Sequence, residues 1–278
     1  MKAPIETMID IRTYAGTVTN DDGPPSDPSS PYVQPLVSTL ESHGHRVSVI
    51  LPSTQRSWIG KAHIITDIHT TTAFHPAPSS SGSPHPRSTW TLVNGTPASC
   101  IQLGLNNHQA GADTATPIDL VLSGPNFGKN TTAVFALSSG TIGAAMEAAL
   151  CGKKAIAVSF AHAEDGTYDV AEACEHAVKL AEHLHGTWDE DVHVYSVNVP
   201  LGGGERGDGE DGGKRRRVVW TRVQQNGWGR DRAFREREGK AGDKGFEWAP
   251  PKFGDVTEGI AASVAPEDSW AIRNGFTR

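Results

Sequence analysis

The stretch Lys154-Ala-Ile-Ala-Val-Ser-Phe160 is almost wholly apolar. An extended chain of that composition has to be covered on both faces. It has companions. Ile118 to Leu122 is strongly apolar, Arg46 to Pro52 runs from alternating to apolar and stops at proline, and Trp90 to Val93 and Val192 to Val199 are further strand segments. Helical patterns lie between them. Val33, Leu36, Val37 and Leu40 recur at three- and four-residue steps within Pro31 to Gly44, and Val170, Ala173, Ala177, Leu180, Ala181 and Leu184 do so within Asp169 to His185. Further helices are expected from Pro97 to Leu105 and from Ile142 to Leu150, the second opened by Ser139-Gly140-Thr141. Apolar strands alternating with such helices predict an α/β fold, a mostly parallel sheet covered on both sides.

Beyond these elements the pattern loosens. A Pro/Ser/Thr/His-rich stretch at about 70–88 reads as a flexible insertion, and Leu201 to Gly213 as a low-complexity linker. The basic run Lys214 to Arg217 reads as a solvated insertion, and Val218 to Thr221 as a strand. Residues 1–200 therefore form the expected core, and 201–278 a C-terminal, partly β extension. The net charge of −7 argues weakly against a nucleic-acid binder. Three cysteines without CxxC spacing predict reduced core thiols. No segment reaches the ~20 apolar residues of a membrane span, and no apolar leader opens the chain, so the expected setting is cytoplasmic, with no membrane partner.

Two loops stand at expected strand ends, where open α/β sheets bind their ligands. The first is Asn20-Asp21-Asp22-Gly23, two adjacent carboxylates with no Lys or Arg in the following ten residues. They form either a solvated Asx-type turn or an oxygen-ligand site for a hard cation such as Mg²⁺, Mn²⁺ or Ca²⁺. The second is Ser123-Gly-Pro-Asn126-Phe-Gly-Lys-Asn130, with Ser139-Gly140-Thr141 after it. Its glycines and amides, and the helix N-terminus, suit an anion. The strand before the acidic pair offers only Ile11, Tyr14, Ala15 and Val18 for burial and is expected to support it poorly. Twelve histidines include His43, His45, His183 and His185, but no HExxH spacing, so a histidine metal site is not expected.

In order along the chain, "TNDDG", "GTPASC", "DLVLSGPNFGKN", "SSGTIGAAMEAAL" and "AIAVSF" resemble the SurE family of metal-dependent phosphatases and 5′-nucleotidases. The likeness covers about residues 17–200, and its form suggests a fungal-type branch. It implies a three-layer α/β/α, Rossmann-like core, with a β-rich C-terminal extension that mediates a homodimer or homotetramer. It also implies one divalent cation, Mg²⁺ or Mn²⁺, on Asp21, Asp22, Ser57 and Asn126. Phosphate-side residues are then Asn130, Ser139, Gly140 and Thr141, and Asp21 or Asp22 takes part in catalysis. The implied activity is phosphomonoester hydrolysis on nucleoside monophosphates or other small esters. Trp58 stands where the family has glycine and is expected to narrow the site. A nucleotide- or RNA-binding module with little catalysis is the alternative, motivated by the weak first strand and the basic segment. A haloacid-dehalogenase-type phosphatase fits less well, because that chemistry uses DxD on a strongly apolar strand.

Overall fold

A computed structural model describes residues 13–77, 89–106, 117–162, 168–202, 206–208, 214–228, 233–238, 243–249 and 264–278. The chain begins β1 (Ala15–Thr19), α1 (Val33–Ser42), β2 (Arg46–Pro52), β3 (Thr71–Phe74), β4 (Trp90–Val93) and α2 (Pro97–Asn106). It continues through β5 (Leu120–Phe127), α3 (Thr132–Ser138), α4 (Gly140–Leu150), β6 (Lys154–Ala161), α5 (Val170–Gly186) and β7 (Val194–Pro200). These strands form one seven-stranded sheet in the order β3-β4-β2-β1-β5-β6-β7. All neighbours run parallel except the edge pair β3 and β4.

Two apolar layers sandwich the sheet. On one face Val33, Leu36 and Leu40 of α1 pack with Ala173, Cys174 and Val178 of α5. On the other, Ile101 of α2 meets Ala144, Ala145 and Ala148 of α4. This is the expected mostly parallel α/β sandwich with a Rossmann-like sheet. The small residues of α4 let it lie close to β5 and β6, which a bulkier helix face could not do.

The first strand is the principal departure from expectation. All five residues of β1 are buried, and β1 lies between β2 and β5. Gly16, Thr17 and Thr19 need no apolar bulk there, because the flanking strands supply it: Leu120, Leu122 and Val49 are buried beside them. Tyr14, 2% exposed, stacks on His45 with ring centroids 3.8 Å apart. Strand quality in mid-sheet is set by neighbours, not by local hydrophobicity alone.

Other corrections follow from pairing partners distant in sequence. Part of the expected insertion is β3, which pairs with β4, while residues 78–88 lie outside the described residues. Within the expected linker and basic run, β8 (Arg206–Asp208) pairs antiparallel with β9 (Lys214–Arg216). Arg216 is buried, not solvated, and its guanidinium bonds both Glu172 carboxylate oxygens. Val218 to Thr221 is no strand; Val218 makes only an isolated bridge to Thr277. A second ribbon, β10 (Phe234–Glu238) with β11 (Lys244–Trp248), and helix α6 (Asp268–Arg273) complete the described chain. Cys100 and Cys174 are buried free thiols, whereas Cys151, at the end of α4, is free but only partly buried and so not a core thiol. Among the described residues no single helix is long and apolar enough to cross a membrane.

The turn between α1 and β2 is clasped to α5 by charge. His45 Nδ1 accepts the Tyr14 backbone N–H (3.3 Å), so its Nε2 carries the proton that Glu182 accepts at 2.9 Å. His43 reaches two carboxylates, Glu182 through Nδ1 at 2.9 Å and Glu175 through Nε2 at 3.0 Å. Burial pulls the His43 pKa down, but the bonds to Glu182 and Glu175 outweigh it and leave the pKa raised. A raised histidine pKa adds stability that is complete below the unfolded value of about 6.5 and is lost as pH rises through the folded one. His43→Gln is therefore expected to lower unfolding free energy by about 1 kcal/mol at pH 6. The deficit should shrink by pH 8.5 in paired urea titrations of the two proteins.

Candidate active site

The sheet order places a topological switch point between β1 and β5. From β1 the chain moves outward through β2 and β4, and then returns to lay β5 on the other flank of β1. The acidic pair follows the end of β1, where Thr19 is registered against Ser123. The expected loop from Ser123 is strand as far as Phe127, so Asn126 is the penultimate residue of β5 and Gly128 to Asn130 follow its end. Crevices at such points collect ligands because neighbouring loops diverge there.

The acidic pair is built into a rigid turn. Asn20, fully buried, accepts the Gly23 N–H and donates to the Gly23 carbonyl, both at 3.0 Å. Ser30 adds a second donor to that carbonyl at 2.9 Å. The Asp21 carbonyl is in turn fixed by the Arg56 N–H at 2.7 Å. An Asx turn is thus present, but it is not solvated: Asp21 is 2% and Asp22 4% exposed.

Each carboxylate has its own donors. Asp21 accepts the Thr141 hydroxyl at 2.6 Å and the Gly140 N–H at 3.1 Å, both at the start of α4. Asp22 accepts the Phe127 N–H at 2.7 Å. Burial raises the Asp21 pKa, against the lowering effect of Thr141 and Gly140. Burial, and then the charge of Asp21, push Asp22 up to about 8, opposed only by the Phe127 N–H. Lys129 lies on the wall of the cleft beside Asp21. Two buried, adjacent carboxylates whose pKa values burial raises are held in a state that a divalent cation would relieve.

A cleft of about 200 Å³ opens beside the pair, lined among others by Asp21, Ser57, Asn126, Asn130 and Ser139. The structure thus brings together five of the residues singled out in the sequence. Asn126 donates its amide N–H to the Gly128 carbonyl at 2.7 Å, which leaves the amide oxygen as the atom suited to a cation. The oxygen set of Asp21, Asp22, Ser57 and Asn126 matches a hard divalent ion in chemistry.

Gly140 and Thr141 take a different role from the anion-binding one expected. Their N–H and O–H are committed to Asp21, so the α4 N-terminus stabilises a carboxylate of the chain itself. Ser139 caps α4 by accepting the Ile142 N–H at 3.0 Å. Asn130 stays on the cleft, fixed from three sides. Its amide donates to Ser159 at 2.9 Å, its N–H to Asn198 at 2.8 Å, and its carbonyl accepts from Arg278 at 2.6 Å. Ser159, Asn198 and Arg278 were not found from sequence. Asn198 sits in the "NVP" that ends β7, and only the pairing of β6 with β7 reveals what it faces.

His43, His45 and Glu182 bring three ligand atoms within 4.8 Å of one another. They are already bonded to one another, as described above.

The family model described as "Survival protein SurE" matches residues 17–230. This chain belongs to the SurE family. A Saccharomyces cerevisiae protein named "Probable tubulin--tyrosine ligase PBY1" is 33% identical over 288 residues, covering 87% of this chain and 36% of that one. "5'-nucleotidase SurE" of Anaeromyxobacter is 32% identical over 66% of this chain and 63% of its own. The protein of the same name from Methanocella arvoryzae is 35% identical over 68% of each. The chain thus spans about a third of the yeast relative and under two thirds of the Anaeromyxobacter one. The crystal structure of the SurE protein from Aquifex aeolicus superposes with a TM-score of 0.64, covering 95% of this chain and 90% of that one. At 24% identity the two share a fold.

The Asp21 anchor is open to a direct test. Thr141→Val keeps shape but removes the hydroxyl donor, at an expected cost of about 1–3 kcal/mol in thermal or urea unfolding at pH 8. Thr141→Ser should recover most of it. Gly140→Ala should be at least as costly, because a Cβ there meets Asp21 Cβ at 2.7 Å.

Proposed function

We propose that this SurE-family chain is a divalent-metal-dependent phosphomonoesterase acting on nucleoside monophosphates or other small phosphate esters. The observation that carries this reading is the buried adjacent pair Asp21–Asp22, of which Asp21 opens onto a cleft that Ser57, Asn126 and Asn130 also line. The names of the Anaeromyxobacter and Methanocella relatives point the same way.

Asp21, Asp22, Ser57 and Asn126 are the residues that would hold the ion. Mg²⁺ or Mn²⁺, when bound, supplies Lewis acidity toward a phosphoryl oxygen. Thr141 and Gly140 keep the Asp21 carboxylate from rotating away. Asn130 has a second amide hydrogen beyond the one given to Ser159, and offers it to an equatorial phosphoryl oxygen. Ser139 places a hydroxyl on the same wall. The proton is taken or given at a carboxylate oxygen of Asp21 or Asp22.

The alternative of a binding module with little catalysis draws less support from β1, which is fully buried, and from Arg216 of the basic run, which is paired with Glu172. The homodimer or homotetramer remains part of the proposal. Val218, Val223 and Trp220, the last 75% exposed, give the C-terminal third an apolar face for such assembly.

Purified protein with Mn²⁺ or Mg²⁺ should hydrolyse p-nitrophenyl phosphate and nucleoside monophosphates, and lose that activity in EDTA. Asp21→Asn should lower kcat/KM by on the order of 10²–10³-fold. Absence of turnover on both substrate types with every divalent ion tried, or full activity in Asp21→Asn, would falsify the reading.

A further inference from the structure

Next to Ser57 the cleft carries a feature that holding a cation and a phosphate does not require. Trp58 has φ 65°, the left-handed region that a bulky side chain avoids. It is held there at both ends of a short loop: Arg56 N–H bonds the Asp21 carbonyl at 2.7 Å, and Gly60 N–H bonds the Ser138 carbonyl at 2.9 Å. Ser57 and Trp58 both line the cleft, together with Asp21 and Phe135.

Trp58 gathers rings from three other parts of the chain. Its ring centroid lies 5.4 Å from Phe135 of α3, 5.8 Å from Trp228 and 5.4 Å from Trp248 of β11. Trp228 and Trp248 meet edge-on at 5.9 Å, and Phe234 of β10 packs against Trp248 at 5.2 Å. This is not a filled core: Trp58 and Trp228 are only partly buried, and Trp248 and Phe234 are exposed by 45% and 54%. Its front, Trp58 and Phe135, lines the same cleft as Asp21.

We propose that Trp58, flanked by Phe135 and backed by Trp228 and Trp248, is a specificity wall. It favours phosphomonoesters whose leaving group carries a flat aromatic ring over those with an aliphatic one. The inference rests on the phosphomonoesterase reading and adds a substrate class to it. Ring faces attract other π faces by offset or edge contact, largely without regard to hydrogen-bonding pattern. An aliphatic leaving group gains only ordinary apolar contact there. The strained backbone at Trp58 and the rings brought from the C-terminal ribbon have a common explanation if the wall is used by the ligand.

The test compares kcat/KM of the full chain with Mn²⁺ on adenosine monophosphate, p-nitrophenyl phosphate and glycerol 3-phosphate. Trp58→Gly suits the test because glycine takes the same backbone angle without strain. In the variant the ratio of ring-bearing to glycerol substrate should fall about tenfold or more. A fall confined to adenosine monophosphate assigns the wall to a nucleobase, and one confined to p-nitrophenyl phosphate assigns it to a simple aryl group. A second readout needs no turnover: adenosine, and not ribose, should quench tryptophan fluorescence saturably in the parent and much less in Trp58→Gly. Trp248→Ala should move both readouts the same way by a smaller factor. An unchanged substrate ratio, together with no adenosine response in the parent, overturns the wall. A parent that turns over no ester yet shows the Trp58-dependent adenosine response overturns the phosphomonoesterase reading and supports ring recognition.

Discussion

The interaction on which the site depends is the meeting of the Asp21 carboxylate with the first turn of α4. Burying a carboxylate costs several kcal/mol unless donors replace water, and here the donors are the Gly140 N–H and the Thr141 hydroxyl. Position 140 must lack a side chain, since a Cβ would lie 2.9 Å from Asp21 Oδ2 as well as 2.7 Å from its Cβ. Three residues on, Gly143 plays the same part toward the next loop, where a Cβ would lie 2.6 Å from the Gly60 carbonyl oxygen. The small residues of α4 therefore do two things. They pack the helix on the sheet, and they bring its N-terminus against both the acidic pair and the Ser57–Trp58 loop.

Asp22 shows the other half of the balance. It has one backbone donor, Phe127 N–H, and a like charge as its neighbour in sequence. Such an arrangement is unfavourable by itself and is sustained by the rigid Asn20 turn and by its place between two central strands. Buried like-charge pairs persist where a cation, a proton or a reaction exploits them. That is the physical link between the fold and the proposed chemistry.

Much of this could be read along the chain. Both loops were visible as departures from otherwise regular α/β patterning, and the apolar runs of β5, β6 and β7 located their strands to within a few residues. What could not be read was set by partners far away in sequence. The sparse apolar content of β1 made a well-supported central strand look weak, because its burial comes from Leu120, Leu122 and Val49 on its neighbours. The role of Thr141 changed because its hydroxyl finds Asp21 across 120 positions. The edge strand β3 lies in a segment with no strand-like alternation and owes its form to β4.

The C-terminal third was the least legible, and its contacts explain why. Backbone groups at the start of α3 are met by Asp268 at Thr132, by the Gln224 carbonyl at Ala133, and by Asn226 at Val134. Each is a polar side chain or a carbonyl from a segment with little hydrophobic pattern, so periodicity gives no sign of them. These bonds satisfy a helix N-terminus that α3 does not cap for itself: Thr131 makes no side-chain cap bond. They tie the C-terminal segments to α3, and α3 carries Phe135 and ends at Ser138, whose carbonyl holds Gly60. The rings of the proposed substrate wall and the carboxylates of the proposed cation site are thus attached to one short helix, its successor α4 and the loop between Arg56 and Gly60. Displacing any one of the three moves the other two, so specificity and charge placement in this cleft are mechanically the same problem.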